Sequence, residues 1–160
     1  MIHTVGVADM IMSRQSSDIL ITHALGSCLG ITVYDSKRNL GGLLHPMLPD
    51  SGIDQAKLQA NPFMFVDSGL RLLLDKFYQA GSEKRNLIIR AAGGSSSKID
   101  KEDDFFQIGR RNFVSLRKFL WDEGLVLKAY DIGGYDSRTV TLEIDGGRMA
   151  IRINGNVKYI

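Results

Sequence analysis

The only cysteine of the chain, Cys28, stands in Leu25-Gly-Ser-Cys-Leu-Gly30, where a turn runs into an apolar stretch. A lone cysteine is most simply a small buried hydrophobe. It becomes a nucleophile when an imidazole can take its proton and later return it to the leaving group. The flanking segments supply such a partner. Cys28 to Tyr34 alternates with Leu29, Ile31 and Val33 on one face, Asp35-Ser-Lys-Arg-Asn39 is a polar turn cluster, and Gly41 to Leu48 returns as an apolar run. A tight hairpin centred between Ser36 and Lys37 sets Cys28 and His45 opposite one another, or within a register step or two. Opposed side chains share a face with Cβ atoms about 4.5–5.5 Å apart, whereas a one-residue slip separates them.

Thr22 lies six residues before Cys28, on the preceding strand. Its hydroxyl or its backbone carbonyl could hold one ring nitrogen of His45, the orienting task of a third triad member. Read plainly, it is a β-branched strand residue. Gly26 and Ser27 could offer backbone N–H groups to an oxyanion, although an ordinary turn also contains Gly-Ser. His23 is expected on the opposite face from Thr22, and His3 lies near the terminus. No His or Cys spacing resembles a metal site. Gly93-Gly-Ser-Ser-Ser-Lys98 lacks the spacing of a phosphate loop. Asp131-Ile-Gly-Gly134 and Asp145-Gly-Gly147 read as turns, and Asp100 to Asp104 as a solvated charge run.

The elements that must position these residues follow from pattern. Asp18 to Leu25 is a β-type run ending at Gly26. Pro49-Asp-Ser-Gly52 turns into a polar loop. Asn61 as N-cap, Pro62 at the first helical position and Gly81 at the end bound a helix with Phe63, Val66, Leu70, Leu73, Leu74 and Phe77 as its stripe. Asn86 to Ala92 reads as a buried strand, Gly93 to Phe106 as a surface loop, and Ile108 to Glu123 as a second helix closed by Gly124. Leu125 to Tyr130 is a further strand. Thr139 to Asp145 and Arg148 to Ile153 form a hairpin. Mixed strands with helices on their faces make one α/β or α+β domain spanning 1–160.

Composition narrows the function classes. The 160 residues are 44% hydrophobic and 24% charged, ordinary globular values, and about 70% of the surface of such a chain can be buried. Twenty basic against 18 acidic side chains leave +2, too weak a field to nominate a nucleic-acid or membrane-surface partner. No apolar run reaches membrane-spanning length, and the first residues do not read as a secretory signal. A soluble, cytoplasmic protein is expected.

Taken together, Thr22, Leu25-Gly-Ser-Cys-Leu-Gly30, Val33-Tyr-Asp35 and Gly41-Gly-Leu-Leu-His-Pro-Met-Leu-Pro49 resemble the CheD family of chemoreceptor glutamine deamidases. Ala92-Gly-Gly94, Ile108-Gly-Arg-Arg-Asn112, Asp131-Ile-Gly-Gly134 and Arg138 continue the likeness in family order. The resemblance implies an α/β sandwich of mixed sheets with flanking helices, related to the catalytic domain of cytotoxic necrotizing factor toxins. It implies a cysteine hydrolase converting glutamines of methyl-accepting chemotaxis receptors to glutamate, with Cys28 as nucleophile, His45 as general base and acid, and Thr22 as third member. Neither metal nor cofactor is needed. A methylesterase side activity and binding to the chemotaxis phosphatase CheC are implied as well, and the alternative is a regulatory module for CheC with vestigial catalysis. The chain departs from the family pattern at Ser95-Ser-Ser-Lys98, where many members carry apolar residues, and at Leu44, which is expected to face away from the site.

Overall fold

The computed structural model describes residues 1–97 and 106–160. Lys98 and the Asp100 to Asp104 charge run lie outside the described residues. Two five-stranded sheets make up the frame. In the first, β1 (Ile2–Thr4), β3 (Ile19–Leu25), β8 (Arg138–Glu143), β9 (Met149–Ile153) and β10 (Asn156–Tyr159) lie side by side in that order. The second has the order β2 (Met10–Ser13), β5 (Leu40–Leu44), β4 (Leu29–Asp35), β6 (Leu87–Gly93) and β7 (Leu127–Ile132). Pairing is antiparallel except between β1 and β3 and between β6 and β7. Among the described residues the α-helices are α1 (Gln55–Ala60), α2 (Val66–Gln79) and α3 (Ile108–Glu123).

The layers follow from which residues are apolar on which face. Leu20, Leu25, Val140, Leu142 and Ile151 of the first sheet pack against Leu43 and Ala92 of the second, forming the core between the sheets. Behind the second sheet, α2 and α3 bury Leu70, Leu73, Leu74, Phe77, Leu116 and Leu120 against Leu29, Ile31, Val33, Leu44 and Ile89. Strand β4 is therefore buried along its whole length on both faces. Removing a side chain as enclosed as Leu73 leaves a cavity and costs about 2–5 kcal/mol. The expected α+β sandwich with flanking helices is the observed class.

The structure corrects several boundaries. Asn61 does cap a helical turn, its side chain accepting from Phe63 N–H at 3.0 Å, but that turn is a short 3₁₀ segment, Pro62–Met64. The long helix begins only at Val66, because 64–66 is drawn out by the chain that follows His45. Met64 O accepts from the N–H groups of Met47 and Leu48, and Val66 N–H donates to Leu48 O. The expected polar loop contains α1, whose first turn is capped by Asp54 accepting from Lys57 N–H. The edge strands β1, β2 and β10 carry no sequence period and are new here. The second helix has the expected bounds, closed by Gly124 at φ 74°. At the Gly93 end of the expected surface loop, Ser95 is buried.

The hairpin between β4 and β5 is shifted from the expected register. Asp35 pairs with Leu40 and Ile31 with Leu44, around a loop at 36–39 whose last residue, Asn39, is left-handed at φ 48°. Asp35 holds that loop by accepting from Lys37 N–H at 3.0 Å and through its own carbonyl from Arg38 N–H. The pairing is displaced by two residues, so the face assignments survive.

Candidate active site

Continuing the β4–β5 ladder past Ile31–Leu44 puts Gly30 opposite His45, and Leu29 N–H donates to Pro46 O at 3.3 Å. Cys28, two residues before Gly30, is therefore diagonal to His45 on the same face, not directly opposed to it. Gly30 is needed between them. A Cβ there would lie 2.9 Å from Leu25 Cδ1 and 3.5 Å from Thr22 Cγ2, in the space where β3 of the other sheet approaches. Leu44 points the other way, into the core beneath α2, as expected.

Thr22 and His45 meet across the two sheets, Thr22 Oγ1 lying 2.7 Å from His45 Nδ1. Both are essentially sealed from solvent, at 0% and 1% exposure. The hydroxyl, not the backbone carbonyl, makes this bond. The same hydroxyl donates its single proton to Val5 O at 2.8 Å. It must then accept from His45, so Nδ1 carries the ring proton and Nε2 keeps the lone pair. Nε2 is buried and has no hydrogen-bond partner. The backbone of His45 is held from both sides by the N-terminal segment: Ala8 N–H donates to its carbonyl at 2.8 Å, and its N–H donates to Asp9 O at 3.0 Å. Ala8 adopts a left-handed φ of 56° to make this possible, and Asn61 Nδ2 ties its carbonyl at 2.9 Å. Val5 has no chemical side chain, and a backbone carbonyl leaves no mark in a sequence.

Burial governs protonation here. The His45 imidazole is pushed down to about 4. The Cys28 thiol is pushed up by burial, with its own backbone N–H acting in the opposite sense. A thiol activated in advance by its histidine was the expectation. Desolvation instead favours the neutral thiol and the neutral imidazole, and no charged group among the described residues acts to stabilise either ionised form.

The loop that carries Cys28 is fixed through its carbonyls. Gly26 O accepts from Ser95 N–H at 2.9 Å, Ser27 O from Asn112 Nδ2 at 2.9 Å, and Cys28 O from Gly94 N–H at 3.0 Å. In a planar trans peptide the next residue's N–H points away from the carbonyl. The N–H groups of Ser27 and Cys28 thus face the side opposite Ser95 and Asn112. The Gly26 N–H is occupied, donating to Ala24 O at 3.0 Å, so Gly26 bears on the loop through the peptide it shares with Ser27.

Asn112 appeared in the sequence reading only as the end of the Ile108-Gly-Arg-Arg-Asn112 motif, with no role of its own. It is fully buried on α3, and its amide also donates to Met47 O at 3.0 Å. One side chain therefore joins the residue before Cys28 to the second residue after His45. Two carbonyl acceptors can be met only by the NH₂ end, which fixes the amide's orientation. The signal available in sequence was a poor helix former on the buried side of a helix. The glycine-rich pieces complete the frame. A Cβ on Gly93, at φ 117°, would overlap the Cys28 carbonyl, and one on Gly109 would overlap the Gly94 carbonyl. Buried Arg138 donates to Gly93 O at 3.3 Å and Gly133 O at 2.8 Å while paired with Asp131 at 2.8 Å. Asp131-Ile-Gly-Gly134 is thus part of the support and not merely a turn. His23 is exposed on the outer face, and His3 pairs with Asp18 at 3.0 Å. Among the described residues no three His, Cys, Asp or Glu side chains come together as a metal site, and no helix is long and apolar enough to cross a membrane.

Comparison with known proteins gives the family. A sequence model described as "CheD chemotactic sensory transduction" matches residues 47–153, starting just past His45. Relatives extend the likeness across the site. The probable chemoreceptor glutamine deamidase CheD of Solibacter usitatus is 46% identical over 98% of this chain and 91% of its own length. The protein of the same name, numbered CheD 1, from Syntrophus aciditrophicus is 40% identical over 94% and 93%, and that of Clostridium tetani 38% identical over 96% and 92%. The chain belongs to the CheD family.

Proposed function

We propose that this protein is a cytoplasmic deamidase that converts glutamine side chains of methyl-accepting chemotaxis receptors to glutamate, through Cys28, His45 and Thr22. The observation that carries the reading is the bond set of His45. With Nδ1–H committed to Thr22 and the Thr22 proton committed to Val5 O, the lone pair at Nε2 is the one basic atom left on the face that Cys28 shares. The names of the relatives, chemoreceptor glutamine deamidases, supply the substrate class.

The chemistry then runs without a metal. As the Cys28 Sγ attacks the carboxamide carbon of a bound glutamine, His45 Nε2 takes the thiol proton. The carbonyl oxygen becomes an oxyanion facing the N–H groups of Ser27 and Cys28. The imidazolium gives its proton to the departing nitrogen, the C–N bond breaks, and ammonia leaves a thioester on Cys28. His45 next takes a proton from water, hydroxide adds to the thioester carbon, and the thiol leaves with that proton. A receptor methyl ester offers the same acyl carbon with methanol as leaving group, so ester hydrolysis belongs to the same reading. A high thiol pKa and a low imidazole pKa make the separated ion pair a minority species at rest, each unit of mismatch being worth about 1.4 kcal/mol. Proton transfer is favourable only as negative charge passes on to the held oxyanion, which keeps the free protein's thiol quiet.

The test is incubation with a purified cytoplasmic receptor fragment, followed by mass spectrometry of its glutamine-containing peptides. A gain of roughly one dalton at specific glutamines, absent with Cys28→Ala, is the expected result. A folded protein that leaves every glutamine of its cognate receptors unchanged overturns the reading.

A further inference from the structure

On α3 the side turned away from the Cys28 loop is unusual. Asn112 faces inward, while Arg110, Val114, Arg117, Lys118 and Trp121 recur at helical spacing on the opposite, exposed side. Trp121 is 85% exposed and Val126, just past the helix, 78%. With Val114 and Tyr130 they rim a groove of about 590 Å³ between α3 and β7, floored by Leu120, Leu125 and Leu127. Folding does not account for so large an exposed aromatic surface, and such patches mark binding sites.

The charge of the groove selects its occupant. Arg117 lies 5.7 Å from the Phe113 ring centroid and 6.0 Å from that of Tyr130, held over aromatic faces with no carboxylate partner among the described residues. Lys118 beside it has no carboxylate partner among the described residues either, and Glu123 is turned to Arg71 and Lys84 instead. Among the described residues no acid lines the groove, and Asp122 stands at its flank beside Trp121. A second copy of this chain would bring the same cations face to face across a two-fold axis, which disfavours self-association. A partner strand is disfavoured too: β7 is an edge strand, but its pairing with β6 slips a residue at Lys128, and a bulge with an exposed lysine blunts an edge. From Val114 to Trp121 the groove is about two helical turns long, near 10 Å. Apolar residues recurring on one face of a helix, flanked by carboxylates, match that length, hydrophobicity and charge.

We propose that this groove is an exosite for an acidic amphipathic helix of the chemoreceptor substrate, docking on the far side of α3 from Cys28. The proposal rests on the deamidase reading above. Trp121 is the chain's only tryptophan, so its emission reports on the groove alone when the receptor fragment lacks tryptophan. Titrating that fragment into the full-length Cys28→Ala protein is expected to shift the emission to the blue and to protect Trp121 from acrylamide. Raising the salt should weaken the effect. Lys118→Glu, and separately Arg117→Glu, should raise the fragment's Kd by about 10-fold or more, the scale of an interface hot spot, with an unchanged melting temperature as the folding control. If the fragment is deamidated by the native protein while Trp121 remains as open as in the free chain, the groove proposal is overturned and the deamidase reading stands. If Trp121 is protected but no glutamine changes, the reverse holds. Protection that appears on concentrating the protein alone, with a doubled mass by light scattering, assigns the groove to self-association and also overturns the proposal.

Discussion

On the His45 side of the site, a chain of side-chain bonds ends on a backbone carbonyl: imidazole to Thr22 to Val5 O. On the Cys28 side the order is inverted, and three consecutive backbone carbonyls end on Ser95, Asn112 and Gly94. The first arrangement fixes a tautomer, so that a particular ring nitrogen is basic. The second fixes peptide planes, so that the N–H groups of Ser27 and Cys28 are each turned away from a bonded carbonyl. A side chain can be oriented by one well-placed hydroxyl, whereas a loop needs its carbonyls tied one by one. That is why the Cys28 side draws on glycines from three distant segments. Asn112 is where the two halves meet, since it bonds to Ser27 O and Met47 O at once.

The two halves come apart most completely at Cys28, the proposed nucleophile. Cys28→Ala should abolish deamidation of a receptor fragment while moving the melting temperature little, because the half-buried thiol fills little core volume. A large loss of stability would return Cys28 to a packing role. On the loop half, Asn112→Ala leaves two carbonyls inside the protein without their donor. A stability loss of about 2–6 kcal/mol is expected by denaturant titration, from about 1–3 kcal/mol for each of the two unsatisfied carbonyls. A fall in kcat on the order of 10²-fold, with KM little changed, should accompany it as the proposed oxyanion donors lose alignment. Equal losses in kcat and in folded fraction would make Asn112 structural only. On the histidine half, Thr22→Val keeps the shape and removes the hydroxyl. It should cost about 1–3 kcal/mol and lower kcat, with recovery in Thr22→Ser; a valine variant as active as the native protein would break the relay.

The last effect is read against pH. The His45 imidazole sits at about 4 in the fold, against about 6.5 in an unfolded chain. Between these values the unfolded chain binds the extra proton, so stability is full above about pH 6.5 and declines as pH falls toward 4. The slope should approach 1.4 kcal/mol per pH unit within that window. His45→Gln should flatten it in denaturant titrations from pH 7 to 4, and an unchanged slope would show that the imidazole titrates freely.

What the sequence disclosed also divides along the two halves. The pairing of Cys28 with His45 on one face was legible, because a two-residue slip in an antiparallel hairpin preserves the face. The slip itself was not legible, since it depends on Asn39 turning left-handed and on Asp35 closing the loop. The residue that meets His45 Nδ1 was legible as Thr22, with hydroxyl and carbonyl both open. Its anchor, Val5 O, was not, because every residue carries a carbonyl. Helix α3 was legible to its ends, yet the role of Asn112 depends on two loops far away in the chain. The start of α2 was misread because the long-range bonds of Leu48 to Met64 and Val66 override a good local cap.

The most direct measurement is the ¹⁵N NMR spectrum of the His45 imidazole, assigned by its loss in His45→Gln and followed from pH 8 to 4. A neutral ring at pH 7 with the proton on Nδ1 and a bare Nε2, titrating near 4, is the expected result. A proton on Nε2, or an imidazolium at neutral pH, would contradict it, because Thr22 would then not be fixing the base that Cys28 requires.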